Sequence, residues 1–198
     1  MSHTSHWKRI SFFTKKIFRG KTGVVISFVV MSLLLVGCSQ DEPQDKNIEL
    51  IQAFLEYELN TPNKEAIQAQ NEWYKWIEGQ QGSVPFSKEY DAYLKDNYGA
   101  YFSESGYDKL VSTNQVLMFH LAADKYNYQT TVSEIDVEKN KDTPTNYYFT
   151  AYIDYEKNGI EKVNAEITGV AILRPGGIEE IKYWGDEKML ETLLTGSK

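Results

Sequence analysis

His120 and Asp124 are the pair in this 198-residue sequence whose types and spacing could move a proton. Four residues apart, they share one face if their segment is helical. An imidazole that titrates near neutral pH beside a carboxylate can act as general acid or base. A lone histidine is more often packed than catalytic, so His120 and Asp124 stand as candidates against an expectation that the chain is not an enzyme. Asp154 and Glu166 fall on outward positions of neighbouring strands and read as solvated faces. The sequence holds no Cys/His cluster, no H-E-x-x-H and no acidic calcium loop, so neither a metal nor a cofactor is expected. It also lacks a G-x-S-x-G elbow, a G-x-G-x-x-G turn and a P-loop, which leaves nucleophilic hydrolysis and nucleotide binding without support.

The single cysteine, Cys38, has a different context. Residues 1–23 carry Lys8, Arg9, Lys15, Lys16, Arg19 and Lys21 and no acid, and an apolar run follows from Val24 to Val36. A basic lead, a short apolar core and small residues at its end have the layout of a secretory signal. At about 1.5 Å per residue the run reaches only roughly 20 Å, short of a ~30 Å hydrocarbon core. Leu35-Val36-Gly37-Cys38 resembles a bacterial lipobox. The resemblance implies cleavage before Cys38, a thioether-linked diacylglycerol on its sulfur with palmitate-type chains, and a lipid anchor on the extracytoplasmic face of the cell membrane. Two acyl chains suffice for stable anchoring. The expected organisation is a signal peptide over 1–37, a lipidated polar tether over 38–46 and one domain over 47–198. The long Lys-rich lead is similar to Gram-positive signals. Val30–Gly37 also resembles the short apolar peptides that some such signals release as mating pheromones, a minor alternative source of function.

All 28 acidic residues lie after the signal-like segment, against 15 basic ones, so residues 38–198 carry a formal charge of −13. Such a body is not expected to hold nucleic acid. With one cysteine there is no disulfide, and stability must come from packing, for which the full sequence supplies 14 Tyr, 9 Phe and 4 Trp.

The periodicities divide the domain in two. Ile48, Ile51, Phe54, Leu55 and Leu59 predict a helix over 46–59, and Asn60-Thr61-Pro62-Asn63 a break. A second helix over 63–78 carries Ala66, Ile67, Trp73, Tyr74, Trp76 and Ile77. A third starts at Ser87 and runs through Tyr90, Tyr93, Leu94, Tyr98, Tyr101 and Phe102, and Tyr107–Val111 predicts one more turn. Gln115–Ala123 fits either a strand or a helix. From Tyr126 the period becomes two, with a phase slip at Ser133-Glu134 that predicts a bulge. Tyr147–Tyr155, the turn at Asn158-Gly159, Val163–Leu173 and Ile178–Trp184 continue a meander. A short helix with Met189, Leu190, Leu193 and Leu194 begins at Asp186.

Segregated helices and strands predict an α+β fold with helices on one face of a curved antiparallel sheet. The order resembles the nuclear transport factor 2-like cone over residues 46–184, with a cystatin-like fold as the alternative. That resemblance implies a cavity into which Asp, His and Tyr side chains project in members that are enzymes. The leading expectation is a non-catalytic domain that binds or scaffolds another envelope component, or pairs with its own copy. Tyr148, Tyr152 and Trp184, on the outward parity, are the candidate partner-binding residues. The alternative is a small-molecule pocket in the cone, with or without proton transfer.

Overall fold

The first helix, α1 (Lys46–Leu59), starts where the Asp45 side chain accepts a hydrogen bond from the Asn47 N–H. It buries Ile51, Phe54, Leu55, Glu58 and Leu59, one stripe at helical spacing. In this computed structural model the described residues are 45–78, 80, 85–159, 162–185 and 187–196. The signal-like segment, Cys38 and the Val30–Gly37 peptide lie outside them.

Helix α2 (Lys64–Ile77) is capped by the Asn63 side chain, which accepts from the Glu65 and Ala66 N–H groups. It buries only Ala66 and Gln70, and Tyr74 and Trp76 stand exposed. Of the apolar residues that predict this helix only Ala66 is buried, and the Trp73 ring stacks on Tyr90. Helix α3 (Lys88–Tyr98) is capped by Ser87 and stops at Gly99, so Tyr101 and Phe102 fall in the following turn. There Phe102 bridges Ile178 in parallel. Helix α4 spans Glu104–Ser112. The segment that fitted two readings is helical: α5 covers Met118–Tyr126, and Tyr126 closes it rather than opening a strand.

Four strands follow, β1 (Tyr128–Lys139), β2 (Asn146–Lys157), β3 (Val163–Arg174) and β4 (Gly177–Gly185), paired antiparallel in the order β1-β2-β3-β4. The β1–β2 register shifts between Val132 and Glu134, the bulge that the change of parity predicts. Along β2, Tyr147, Phe149, Ala151, Ile153 and Tyr155 are buried. Between them Tyr148 is exposed and Thr150, Tyr152 and Asp154 are half-buried. Helix α6 (Glu187–Thr195) ends the described chain, with Leu193 in the core.

The fold is α+β, with helices over one face of a curved antiparallel meander. The helix-rich first half agrees with the cone-like resemblance more closely than with the cystatin-like alternative. An isolated bridge between Thr61 and Thr130 ties the α1–α2 connection to β1.

Across the sheet, Phe149, Gly169 and Tyr183 lie abreast. A Cβ on Gly169 would run into the Phe149 ring and the Lys182 carbonyl oxygen. The missing side chain lets Phe149 and Tyr183 meet over β3, with ring centroids 5.8 Å apart.

Candidate functional site

Between α1, α3, α5 and β4 lies a cavity of about 510 Å³. Its walls include Phe54, Leu110, Met118, Phe119 and Ile181, and Leu190 and Leu194 of α6 also line it. Side chains of both parities of β4, from Glu180 to Trp184, take part. β4, the last strand of the sheet, forms one side of the cavity.

Glu58 sits in this apolar wall, 2 % exposed. Its Oε2 accepts a hydrogen bond of 2.7 Å from the Tyr98 hydroxyl. The Tyr98 oxygen accepts in turn from the Leu117 N–H at 2.9 Å. Leu117 is fully buried and adopts a left-handed backbone, φ 59 and ψ 10. That conformation costs an L-residue roughly 1–2 kcal/mol, and it turns the N–H at the start of α5 toward Tyr98. Glu58 Oε1 has no hydrogen-bond partner among the described residues, and neither has the Tyr183 hydroxyl. Tyr183 also lines the cavity and is held edge-on by Phe119 at 5.2 Å.

Burial raises the Glu58 carboxyl from 4.5 to about 8, with the Tyr98 hydroxyl and the nearby Phe119 backbone pulling the other way. The carboxyl is therefore protonated and neutral at pH 7. A neutral acid can donate a hydrogen bond, which a carboxylate cannot. Burial likewise pushes the hydroxyls of Tyr98 and Tyr183 well above the usual phenol range. The site thus offers an apolar cavity with two unoccupied hydroxyl-type donors, from Glu58 and Tyr183.

The residues singled out from sequence lie elsewhere. His120 is fully buried but does not line the cavity. Its Nδ1 accepts from the Asn63 N–H at 3.2 Å, and its ring meets Tyr57 edge-on at 5.4 Å. Burial lowers it to about 4, so the ring is neutral. Asp124 is exposed, and no hydrogen bond or ion pair joins it to His120 among the described residues. Asp154 lies 3.9 Å from the Lys162 ammonium, as a surface contact. On the outer face Tyr148 and Trp184 come together, with ring centroids 6.1 Å apart and both exposed. Tyr152 is half-buried and stays outside that ring pair. Trp184 has two surroundings, because it also lines the cavity.

Sequence reasoning missed Glu58. The signal was present: Ile51, Leu55 and Glu58 follow at spacings of four and three, which puts a carboxylate on the buried stripe of α1.

No protein-family model matches the chain, and no curated protein is significantly similar to it. Solved structures that overlap it include the proposed transfer protein TraH of the Gram-positive conjugative plasmid pIP501. That match has 19% identity over 64% of this chain and 97% of the other, with a TM-score of 0.36. A proposed polyketide cyclase from Xanthomonas campestris pv. campestris matches at 10% identity, 76% and 97% coverage and a TM-score of 0.33. A SnoaL-like cyclase, also a proposed assignment, from Jannaschia sp. CCS1 matches at 15% identity, 82% and 100% coverage and 0.30. Overlaps at this level add nothing to what the architecture itself shows.

Proposed function

We propose that this chain is a lipid-anchored extracytoplasmic lipoprotein whose domain holds a small, largely apolar molecule in the cavity over β4. The supporting observation is the pairing of an apolar cavity with two buried, unpartnered oxygens, Glu58 Oε1 and the Tyr183 hydroxyl. Unmade hydrogen bonds of this kind cost about 1–3 kcal/mol each, so a ligand oxygen placed there recovers what folding leaves unsatisfied. The volume falls within the roughly 300–1,000 Å³ of small-molecule sites. A thermal-shift screen with apolar molecules bearing one carbonyl or hydroxyl tests the reading, since binding to the folded state raises the midpoint. Tyr183→Phe should weaken any hit about three- to tenfold, and binding should decline above pH 8 as Glu58 ionises. A midpoint unmoved across the whole screen would sink it.

The lipobox-like Leu35–Cys38 supports the anchor. Metabolic labelling with an alkyne fatty acid should mark the wild-type protein in the membrane fraction and leave Cys38→Ser unlabelled; equal labelling of both would remove the anchor from the proposal.

A second reading keeps the cavity and adds proton transfer. It is favoured by the Glu58 carboxyl, which titrates at about 8, close to where a general acid–base group is most effective. Solvent deuterium appearing next to a ligand carbonyl in the wild type, and absent with Glu58→Gln, distinguishes turnover from binding.

The expectation of an envelope partner stands as a further proposal about the outer face. It is supported by the exposed Tyr148–Trp184 pair.

A further inference from the structure

At the opening of the cavity two ammonium groups share one carboxylate. Lys109 Nζ lies 2.9 Å from Glu180 Oε1, and Lys182 Nζ lies 3.5 Å from the same oxygen. All three residues line the cavity. Lys109 and Lys182 are about half exposed, at 50% and 53%, so neither is used up in packing. The lysines hold Glu180 below the usual carboxylate range, which keeps it charged and leaves one positive charge in excess among the three. Next to Glu180 on β4, Glu179 accepts hydrogen bonds from Ser103 and Ser105 and is lowered further by the Arg174 and Lys109 charges. Setting Lys109, Lys182 and Arg174 against Glu179 and Glu180 leaves one positive charge in excess among these five groups. This excess sits on a body of charge −13 from residue 38 onward.

The inner end is different in kind. Glu58 is neutral there, and it and Tyr183 each present an oxygen with no partner among the described residues. The wall between rim and floor is apolar, through Leu110, Met118, Ile181 and Leu190. A positive rim, an apolar wall and a neutral donor floor describe a molecule with three matching parts.

We propose that the cavity ligand is an amphipathic monoanion: an anionic group held at the rim by Lys109 and Lys182, an apolar body, and a neutral oxygen that meets Glu58 and Tyr183. The inference rests on the small-molecule reading above and names the class within it. An oxygenated fatty acid has this chemistry. A rim pairing of half-exposed lysines is screened by solvent, so its contribution is modest, on the order of a fivefold gain in affinity.

Isothermal titration of the full-length protein with an ω-hydroxy fatty acid, the matching diol and the matching ω-hydroxy alkylamine tests it. All three share the apolar body and the inner hydroxyl and differ only in the outer group. The acid should bind about fivefold more tightly than the diol, and the amine more weakly than either. The gap between acid and diol should shrink with added salt and close in the double variant Lys109→Gln, Lys182→Gln, whose thermal midpoint stays near that of the wild type because both side chains are half exposed. Equal affinity for acid and diol would overturn the anionic group while leaving the pocket reading intact. A gap that survives the double variant would overturn the assignment to these lysines. No binding of any probe to the folded protein would overturn the pocket reading, and this inference with it.

Discussion

The Tyr98 hydroxyl bridges Glu58 and Leu117: it donates to the Glu58 carboxyl at 2.7 Å and accepts from the Leu117 N–H at 2.9 Å. One oxygen on α3 thus fixes a carboxyl on α1 and the left-handed start of α5. Tyr98→Phe keeps the ring and removes the bridge, leaving a buried N–H and a carboxyl oxygen unpartnered. The variant should lose about 1–3 kcal/mol in urea denaturation, and its Glu58 carboxyl should titrate higher than in the wild type, because the lost hydrogen bond is one that lowers it. Carboxyl NMR of the folded protein reads that shift.

Glu58 makes the fold sensitive to pH in one direction. The folded protein keeps the Glu58 proton up to about 8, whereas the unfolded chain releases it once pH passes the ordinary value of 4.5. The native state therefore binds more protons in that window, and stability falls as pH rises through it, levelling off above about 8. His120, lowered to about 4 from 6.5, acts oppositely but only below 6.5. Between pH 6.5 and 8 the Glu58 slope stands alone among these two. Glu58→Gln preserves shape and neutrality, so its stability relative to the wild type should rise across that range by up to about 1.4 kcal/mol per pH unit. Parallel chemical-denaturation curves for the two proteins would contradict the assignment.

Gly169 is a packing position rather than a hinge. Gly169→Ala adds a methyl against the Phe149 ring and the Lys182 carbonyl, and overpacking of this sort costs about 1–3 kcal/mol. A thermal midpoint lowered by several degrees, together with altered near-ultraviolet dichroism from displaced Phe149 and Tyr183, is the expected result.

The Tyr148–Trp184 pair should matter to association and little to folding. Tyr148→Ala is expected to change stability by no more than about 0.5 kcal/mol, as surface substitutions do, while lowering capture of an envelope partner or of a second copy by crosslinking in intact cells. Trp184→Ala should affect both capture and ligand binding, since the ring also borders the cavity. Unchanged capture with Tyr148→Ala would leave the outer face without a role.

Sequence patterning located most of the elements because each is written in a local repeat. The α1 stripe, the cap at Ser87, the change to period two and the Ser133 bulge all depend on neighbours within a few positions. The readings that needed correction depend on distant ones. Tyr101 and Phe102 extend the α3 pattern, yet the chain turns at Gly99 and pairs Phe102 with Ile178, 76 positions on. Gln115–Ala123 satisfies both periods, and a buried left-handed Leu117 tied to Tyr98 starts the helix.

The site divides the same way. By itself the sequence determined that the chain is α+β and that its body is strongly acidic after residue 37. Charge and periodicity are properties of the chain before it folds. Only the tertiary structure decided that Glu58 rather than His120 faces the cavity, because both lie on buried faces of helices. Which face meets a void and which meets packed side chains depends on how α1 and α5 cross the sheet. That crossing brings Glu58, Tyr98, Lys109 and Tyr183 to one cavity from four separate elements, a convergence that no local spacing encodes.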